Sequence, residues 1–261
     1  MSFSAKWLEL RRDADTRARS AEITARLADY VATLDTDTLQ ILDLGSGTGA
    51  NLAYLAPKLQ VRQFWVLTDN DASLLSRVDV PRATDVDRTT IDLANGIEHL
   101  FGRRPDVVTS SAFFDLAGSV WIDDLVAHVA DAGAAFHTVL TYDGTERWSP
   151  TLDDDHAVLE AFVADQRTEK GLGTALGPAA TDYLSRALEQ HGYAVHRAPS
   201  PWDLKAENDA SLIEALADGV LSAIGADLGD IATRWHRSRR RASAVHVGHE
   251  DLIALPPTRA R

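Results

Sequence analysis

The chain has 261 residues, 45% of them hydrophobic and 25% charged, enough to bury a layered core and too evenly mixed for a disordered or fibrous protein. With 39 acidic against 26 basic residues the formal net charge is -13, which opposes a phosphate backbone, so no nucleic acid is expected as a partner. The longest stretch free of formal charge, residues 44–57, is 14 residues with three glycines and a proline; it is too short to span a bilayer, and no membrane is expected.

In chain order, Trp7, Leu10, Ala14, Ala18 and Ala21 recur at helical spacing and predict two leading helices within residues 1–36. Lys6, Glu9, Arg11 and Arg12 stand where a signal peptide needs an apolar core, and the expected location is cytoplasmic. Short apolar runs at 39–44, 61–68, 106–110 and 134–140 predict buried parallel strands, and helical patterns at 50–58, 72–78 and 119–131 fill the gaps. That alternation predicts an α/β, doubly wound, mostly parallel sheet of about seven strands in one domain over 1–261. A helical pattern at 153–170 and a glycine-rich turn at 171–178 then interrupt the rhythm, predicting an insertion, 144–180, that acts as a lid. The C-terminal part, 181–261, supplies a helix at 181–191, strands at 193–197 and 244–247, and a helical stretch at 206–241.

The absence of cysteine excludes disulfides, thiolate metal sites and a cysteine nucleophile. No metal is expected either: His246 and His249 are too few for a site and lie on a predicted strand. The basic run Arg234, Arg237, Arg239, Arg240 and Arg241 reads as a helix end paired with acids of the chain.

The strongest motif is Asp43-Leu-Gly45-Ser46-Gly47-Thr-Gly49-Ala50, closing a strand and opening a helix. Glycines there permit positive φ and close approach of a ligand, and the helix start offers free N–H donors. Gly45, Gly47 and Ala50 also satisfy a dinucleotide fingerprint. Asp43 separates the two readings, since a carboxylate aimed at a pyrophosphate repels it while one facing a cationic ligand attracts it. Asp69 ends the next strand, where ribose hydroxyls are bound in either class, and Asp92 ends the third.

These residues resemble the class I S-adenosylmethionine-dependent methyltransferases, whose signature is an acid, any residue, then Gly-x-Gly-x-Gly. The resemblance covers residues 39–140 and implies a Rossmann-like seven-stranded sheet with an antiparallel last strand. It implies that Gly45, Gly47 and Gly49 cradle the methionine and ribose, that Asp69 binds the ribose, and that Asp92 and Leu93 meet the adenine. Asp43, Ser46, Asn70 and Ser110 complete the expected cofactor set, with S-adenosyl-L-methionine as the cofactor. A narrower resemblance, to a bacterial methyltransferase subgroup of unassigned substrate, rests on residues 7–11, 140–144 and 165–178 and implies that these segments face the acceptor.

In a doubly wound sheet the chemistry lies beyond the carboxyl ends of the strands. Residues 110–115 and 141–144 are therefore expected to line the pocket, with Ser111, Phe113 and Phe114 as walls. Tyr142 and Asp143 are the candidate acceptor-binding or base residues. Gln166 shares a helical face with Val158, Leu159 and Phe162, and a buried amide needs a partner, so it joins them, as does His156 on the adjoining stripe. The expected reaction is methyl transfer to an O, N or S atom of a small-molecule acceptor. The alternatives are a nicotinamide-dependent oxidoreductase and a non-catalytic cofactor-binding partner subunit.

Overall fold

The computed structural model of the chain describes residues 3–82, 84–225 and 228–257. Helices α1 (Ala5–Ala18) and α2 (Ala21–Ala32) are each entered through a serine whose hydroxyl accepts from a first-turn amide, Ser4 from Trp7 N–H and Ser20 from Ile23 N–H. Strand β1 (Leu39–Leu44) is central. It lies between β2 (Gln63–Asp69) and β4 (Val107–Ser111), with β3 (Thr84–Thr90) outside β2 and β5 (Ala135–Ser149) outside β4, all parallel. Burial on both faces explains why β1 is nearly continuous in apolar residues.

Beyond β5 the sheet turns antiparallel. Strand β6 (Ala194–Pro199) and strand β7 (Trp202–Lys205) both pair with β8 (Ala244–Leu255), which itself pairs with β5, giving the order β3-β2-β1-β4-β5-β8-β6. Helices α3 (Ala50–Leu55), α4 (Ala72–Leu75), α5 (Ser119–Ala132) and α7 (Ala180–Gln190) supply the outer layers. Ile122, Leu125, Val129, Leu184 and Leu188 pack one face; Ile23, Leu27, Leu52 and Leu55 pack the other. Full burial of each such side chain contributes about 1.5–3 kcal/mol.

A third apolar cluster gathers α1, α6 (Asp155–Gln166), α8 (Ala206–Ile224) and α9 (Asp230–Arg239) around the outer half of β5. Here the structure departs from the sequence reading. β5 runs on to Ser149, rather than ending at 140, because β8 continues beside it across two register shifts. At the first shift Leu140 takes φ +58°, and its N–H donates to Asp251 Oδ1 at 2.8 Å. The predicted lid helix shortens to α6, which packs on α8 and α9 rather than over the carboxyl edge of the parallel strands. The 206–241 stretch is two helices separated near Gly225 and Gly229. The basic run is paired with acids, Arg234 with Asp154, Arg239 with Asp155 and Arg240 with Glu214.

Candidate active site

The turn after β1 places Gly45, Gly47 and Gly49 at φ +65°, +52° and +80°. A Cβ at Gly45 would stand 2.7 Å from the Phe113 ring, one at Gly47 3.0 Å from Leu8, and one at Gly49 2.7 Å from Val78. Glycine is thus required by backbone conformation and by the chain's own packing, not by ligand approach alone. Ser46 N–H donates to the Thr68 carbonyl at 2.8 Å, and the Ser46 and Thr68 hydroxyls both donate to the Asp43 carbonyl at 2.9 Å. Gly47 N–H donates to Asp69 Oδ2 and Asp71 N–H to Asp69 Oδ1, each at 2.9 Å, so the carboxylate is fixed before any ligand arrives.

Asp43 is fully buried. Asn51 Nδ2 donates to its Oδ1 at 2.8 Å, while Oδ2 has no hydrogen-bond partner. Burial pushes its carboxyl up to about 6 against the opposing Asn51 hydrogen bond and the Arg19 charge. Arg19, itself buried, donates to Asn51 Oδ1 at 2.7 Å and to Ser111 Oγ at 3.2 Å, and so ties the end of α1 to the strand ends.

These groups surround a cavity of about 190 Å³ at the carboxyl edge of the parallel strands. Asp43, Gly45, Ser46, Gly47, Asp69, Asn70, Asp92 and Leu93 line one side of it. The other side is made by Leu8, Arg11 and Asp15 of α1, by Ser111, Ala112, Phe113 and Leu116 after β4, and by Lys170, Gly171 and Leu172. Ala112 holds φ +53°, a strained conformation for a residue with a Cβ and one that concentrates at functional sites.

Seven of the expected residues lie off this wall. Gly49 stands in the turn beneath it, against Val78. Ser110 is buried one residue short, its hydroxyl donating to the Leu44 carbonyl at 2.9 Å; strand alternation turns Ser111 outward instead. The His156 side chain is 83% exposed and paired with Glu160 at 3.2 Å, so it belongs to a solvated helix face. Tyr142 is buried against Phe162 and His249, with its hydroxyl unpartnered. Burial, reinforced by Glu146, Asp143 and Asp115, raises the phenol above its ordinary range. Asp143 accepts from Thr145 N–H at 2.7 Å and crowds Gly248, where a Cβ would meet the carboxylate. Gln166 keeps a buried, unpartnered Oε1 at the end of α6, but like the rest of α6 it does not reach the cavity. Phe114, expected as a wall, is core.

Sequence reasoning missed Asp15, and it had Arg11 and Lys170 only as members of the segments 7–11 and 165–178 implied to face the acceptor. Arg11 donates to Asp15 through Nε and Nη2 at 2.9 and 3.1 Å, and Trp202 Nε1 donates to the same Asp15 at 3.1 Å. Lys170 lies past the end of α6, its side chain only 6% exposed, and donates to Asp165 at 2.8 Å. The four-residue spacing of Arg11 and Asp15 was a signal for their pairing but not for their place in the site.

No protein-family model matches the sequence, and no curated protein matches it. Solved structures do match in shape. A cyclopropane-fatty-acyl-phospholipid synthase-like protein from Lactobacillus casei superposes with a TM-score of 0.53 at 16% identity, over 95% of this chain and 100% of that one. A cyclopropane synthase from Mycobacterium tuberculosis gives 0.52 at 11% identity over 96% and 94%. A mycolic acid cyclopropane synthase complexed with S-adenosylhomocysteine gives 0.51 at 12% over 89% and 83%. The chain has the class I methyltransferase fold. Its last strand, β8, lies antiparallel between β5 and β6, as the sequence resemblance implied, and β7 is an eighth strand beyond the seven expected.

Proposed function

We propose that this methyltransferase-fold chain is an enzyme that binds S-adenosylmethionine in the cavity and transfers its methyl group to an oxygen, nitrogen or sulfur atom of a small molecule. The observation that carries the reading is the buried, unpartnered Asp43 Oδ2 in a cavity also edged by the Asp69 and Asp92 carboxylates. A cationic ligand with a ribose satisfies such a wall, whereas a dinucleotide would bring its pyrophosphate against three acids. Asp43 would face the positively charged end of the cofactor, Asp69 the ribose, and Asp92 with Leu93 the adenine. The bound cofactor would supply an activated methyl group. The protein's part is to orient the acceptor along the transfer axis and to exclude water, since alignment alone is worth several orders of magnitude in rate.

Transfer to a carbon acceptor is the second reading, favoured by the cyclopropane synthases among the structures of similar fold. The charged groups on the far wall, Arg11, Asp15 and Lys170, support a polar acceptor over a purely hydrocarbon one. Calorimetry with S-adenosylmethionine, S-adenosylhomocysteine and NAD tests the cofactor. The first two are expected to bind in the micromolar range, about -8 kcal/mol. Binding of NAD alone would overturn the reading.

A further inference from the structure

The side of the cavity opposite Asp43, Asp69 and Asp92 carries two cations with hydrogen-bond donors to spare. Arg11 of α1 lines the cavity, its side chain only 12% exposed. Its Nε and Nη2 donate to the Asp15 carboxylate at 2.9 and 3.1 Å, and Trp202 Nε1 donates to the same carboxylate at 3.1 Å. The guanidinium also lies over two rings, 4.9 Å from the centre of Trp202 and 5.8 Å from that of Trp7. Asp15 takes one edge of the planar fork. The other edge, Nη1 with the second N–H of Nη2, has no partner among the described residues. Nε1 of the neighbouring Trp7 is likewise buried without an acceptor. Lys170 lines the same cavity with its side chain 6% exposed, and its ammonium donates only to Asp165, at 2.8 Å. Leu8, Phe113, Leu116 and Leu172 make the apolar part of this side.

Resting on the methyltransferase reading above, we infer that the acceptor is a small organic carboxylate with an apolar body, anchored by the free edge of Arg11 and drawn to this side by Lys170. A guanidinium edge presents two parallel N–H groups at the spacing of the two oxygens of a carboxylate. Asp15 and the two tryptophans hold Arg11 in place before anything binds, so little side-chain freedom is lost on binding. Donors withdrawn from water and left unused are costly until an acceptor meets them. Asp15 and Asp165 offset one positive charge each, so the site offers directed donors rather than excess charge, which suits one carboxylate and not a polyanion. A carboxylate held through both oxygens in this fork is an anchor; the attacking atom lies elsewhere on the molecule. The cationic cofactor at the three acids and the anionic acceptor at Arg11 and Lys170 then attract one another across a cavity that excludes water.

The test titrates benzoate, its neutral isostere benzamide and the tetrahedral anion benzenesulfonate into the complex of the protein with S-adenosylhomocysteine. Benzoate is expected to bind at least about tenfold more tightly than either of the others. Arg11→Gln is expected to abolish that preference while S-adenosylhomocysteine still binds, which shows that the variant folds. Lys170→Met, far from α1 in sequence, is expected to weaken benzoate about threefold and to leave benzamide unchanged. Benzoate that fails to bind, binds no better than benzamide or benzenesulfonate, or keeps its preference in Arg11→Gln overturns the inference and leaves the cofactor reading standing. Where Arg11→Gln does not fold, Lys170→Met decides, and benzoate binding indifferent to it overturns the inference in the same way. Failure of S-adenosylhomocysteine to bind the unaltered protein overturns the cofactor reading, and the inference with it.

Discussion

The two walls of the cavity are built on different principles. The wall at β1 and β2 is local: Asp43, the glycines and Asp69 lie within 27 residues of sequence and hold one another through backbone hydrogen bonds such as Gly47 N–H to Asp69. The opposite wall is assembled from α1, the turn after β4 and the segment after α6, over 150 residues apart at the extremes, and it is held by side-chain ion pairs. A site whose parts are sequence neighbours can be placed from its motif. One assembled by tertiary packing can tolerate change in any one segment, and that is the wall on which acceptor choice would rest.

The largest effect should come from the residue that joins the walls. Arg19→Ala removes the buried guanidinium between Asn51 and Ser111 and leaves Asn51 Oδ1, with Asp43 behind it, uncompensated. A loss of about 3 kcal/mol or more of unfolding free energy is expected by denaturant titration. An unchanged midpoint would mean that the two walls are not coupled through Arg19.

Next in size is Gly45→Ala, which places a Cβ 2.7 Å from the Phe113 ring at φ +65°. The conformational and packing costs together are about 3 kcal/mol. Because Phe113 belongs to the far wall, Gly45→Ala paired with Phe113→Ala should recover the packing share only, leaving about 1–2 kcal/mol from the backbone. Full recovery would show that the backbone tolerates a left-handed alanine there.

Asp69→Ala acts on the local wall alone. It is expected to weaken S-adenosylmethionine by about 2–4 kcal/mol in calorimetry, through loss of a charged acceptor for ribose hydroxyls. Since Asp69 also accepts from Gly47 and Asp71 amides, about 1 kcal/mol of stability should go with it, more than a purely ligand-facing carboxylate would lose. Equal cofactor affinity in the variant would take Asp69 out of the site.

The same contrast between the walls explains what could be read in advance. β1, the glycine turn and Asp69 were legible because their signal is local. Even there a one-residue ambiguity decided Ser110 against Ser111, since alternate residues of β4 face opposite sides of the sheet. β7 is four residues after a proline, too short for a periodic pattern, and the extension of β5 depends on β8, about 100 residues on. His156 and Gln166 could be assigned to helix faces but not to what those faces meet, and α6 meets α8 and α9.

The smallest effect separates a charge on the local wall from the geometry around it. The Asp43 carboxyl is raised from 3.8 to about 6, mainly by burial, with Asn51, Ser46 and Arg19 opposing the rise and Asp69 adding to it. Between those two values the folded protein holds a proton that the unfolded chain has released, so this group lowers stability as pH rises from about 4 to 6. Binding of a cation has the opposite sign, because it favours the ionised carboxylate. Affinity for S-adenosylmethionine should therefore fall as pH drops below about 6, approaching tenfold per pH unit. Asp43→Asn keeps the shape and can still meet Asn51, but it has no proton to exchange. In that variant affinity at neutral pH should drop, the dependence on pH near 6 should flatten, and stability should lose the gain that this group gives on acidification from pH 6 to 4. A pH profile of binding that survives Asp43→Asn unchanged would place the cation away from Asp43 Oδ2.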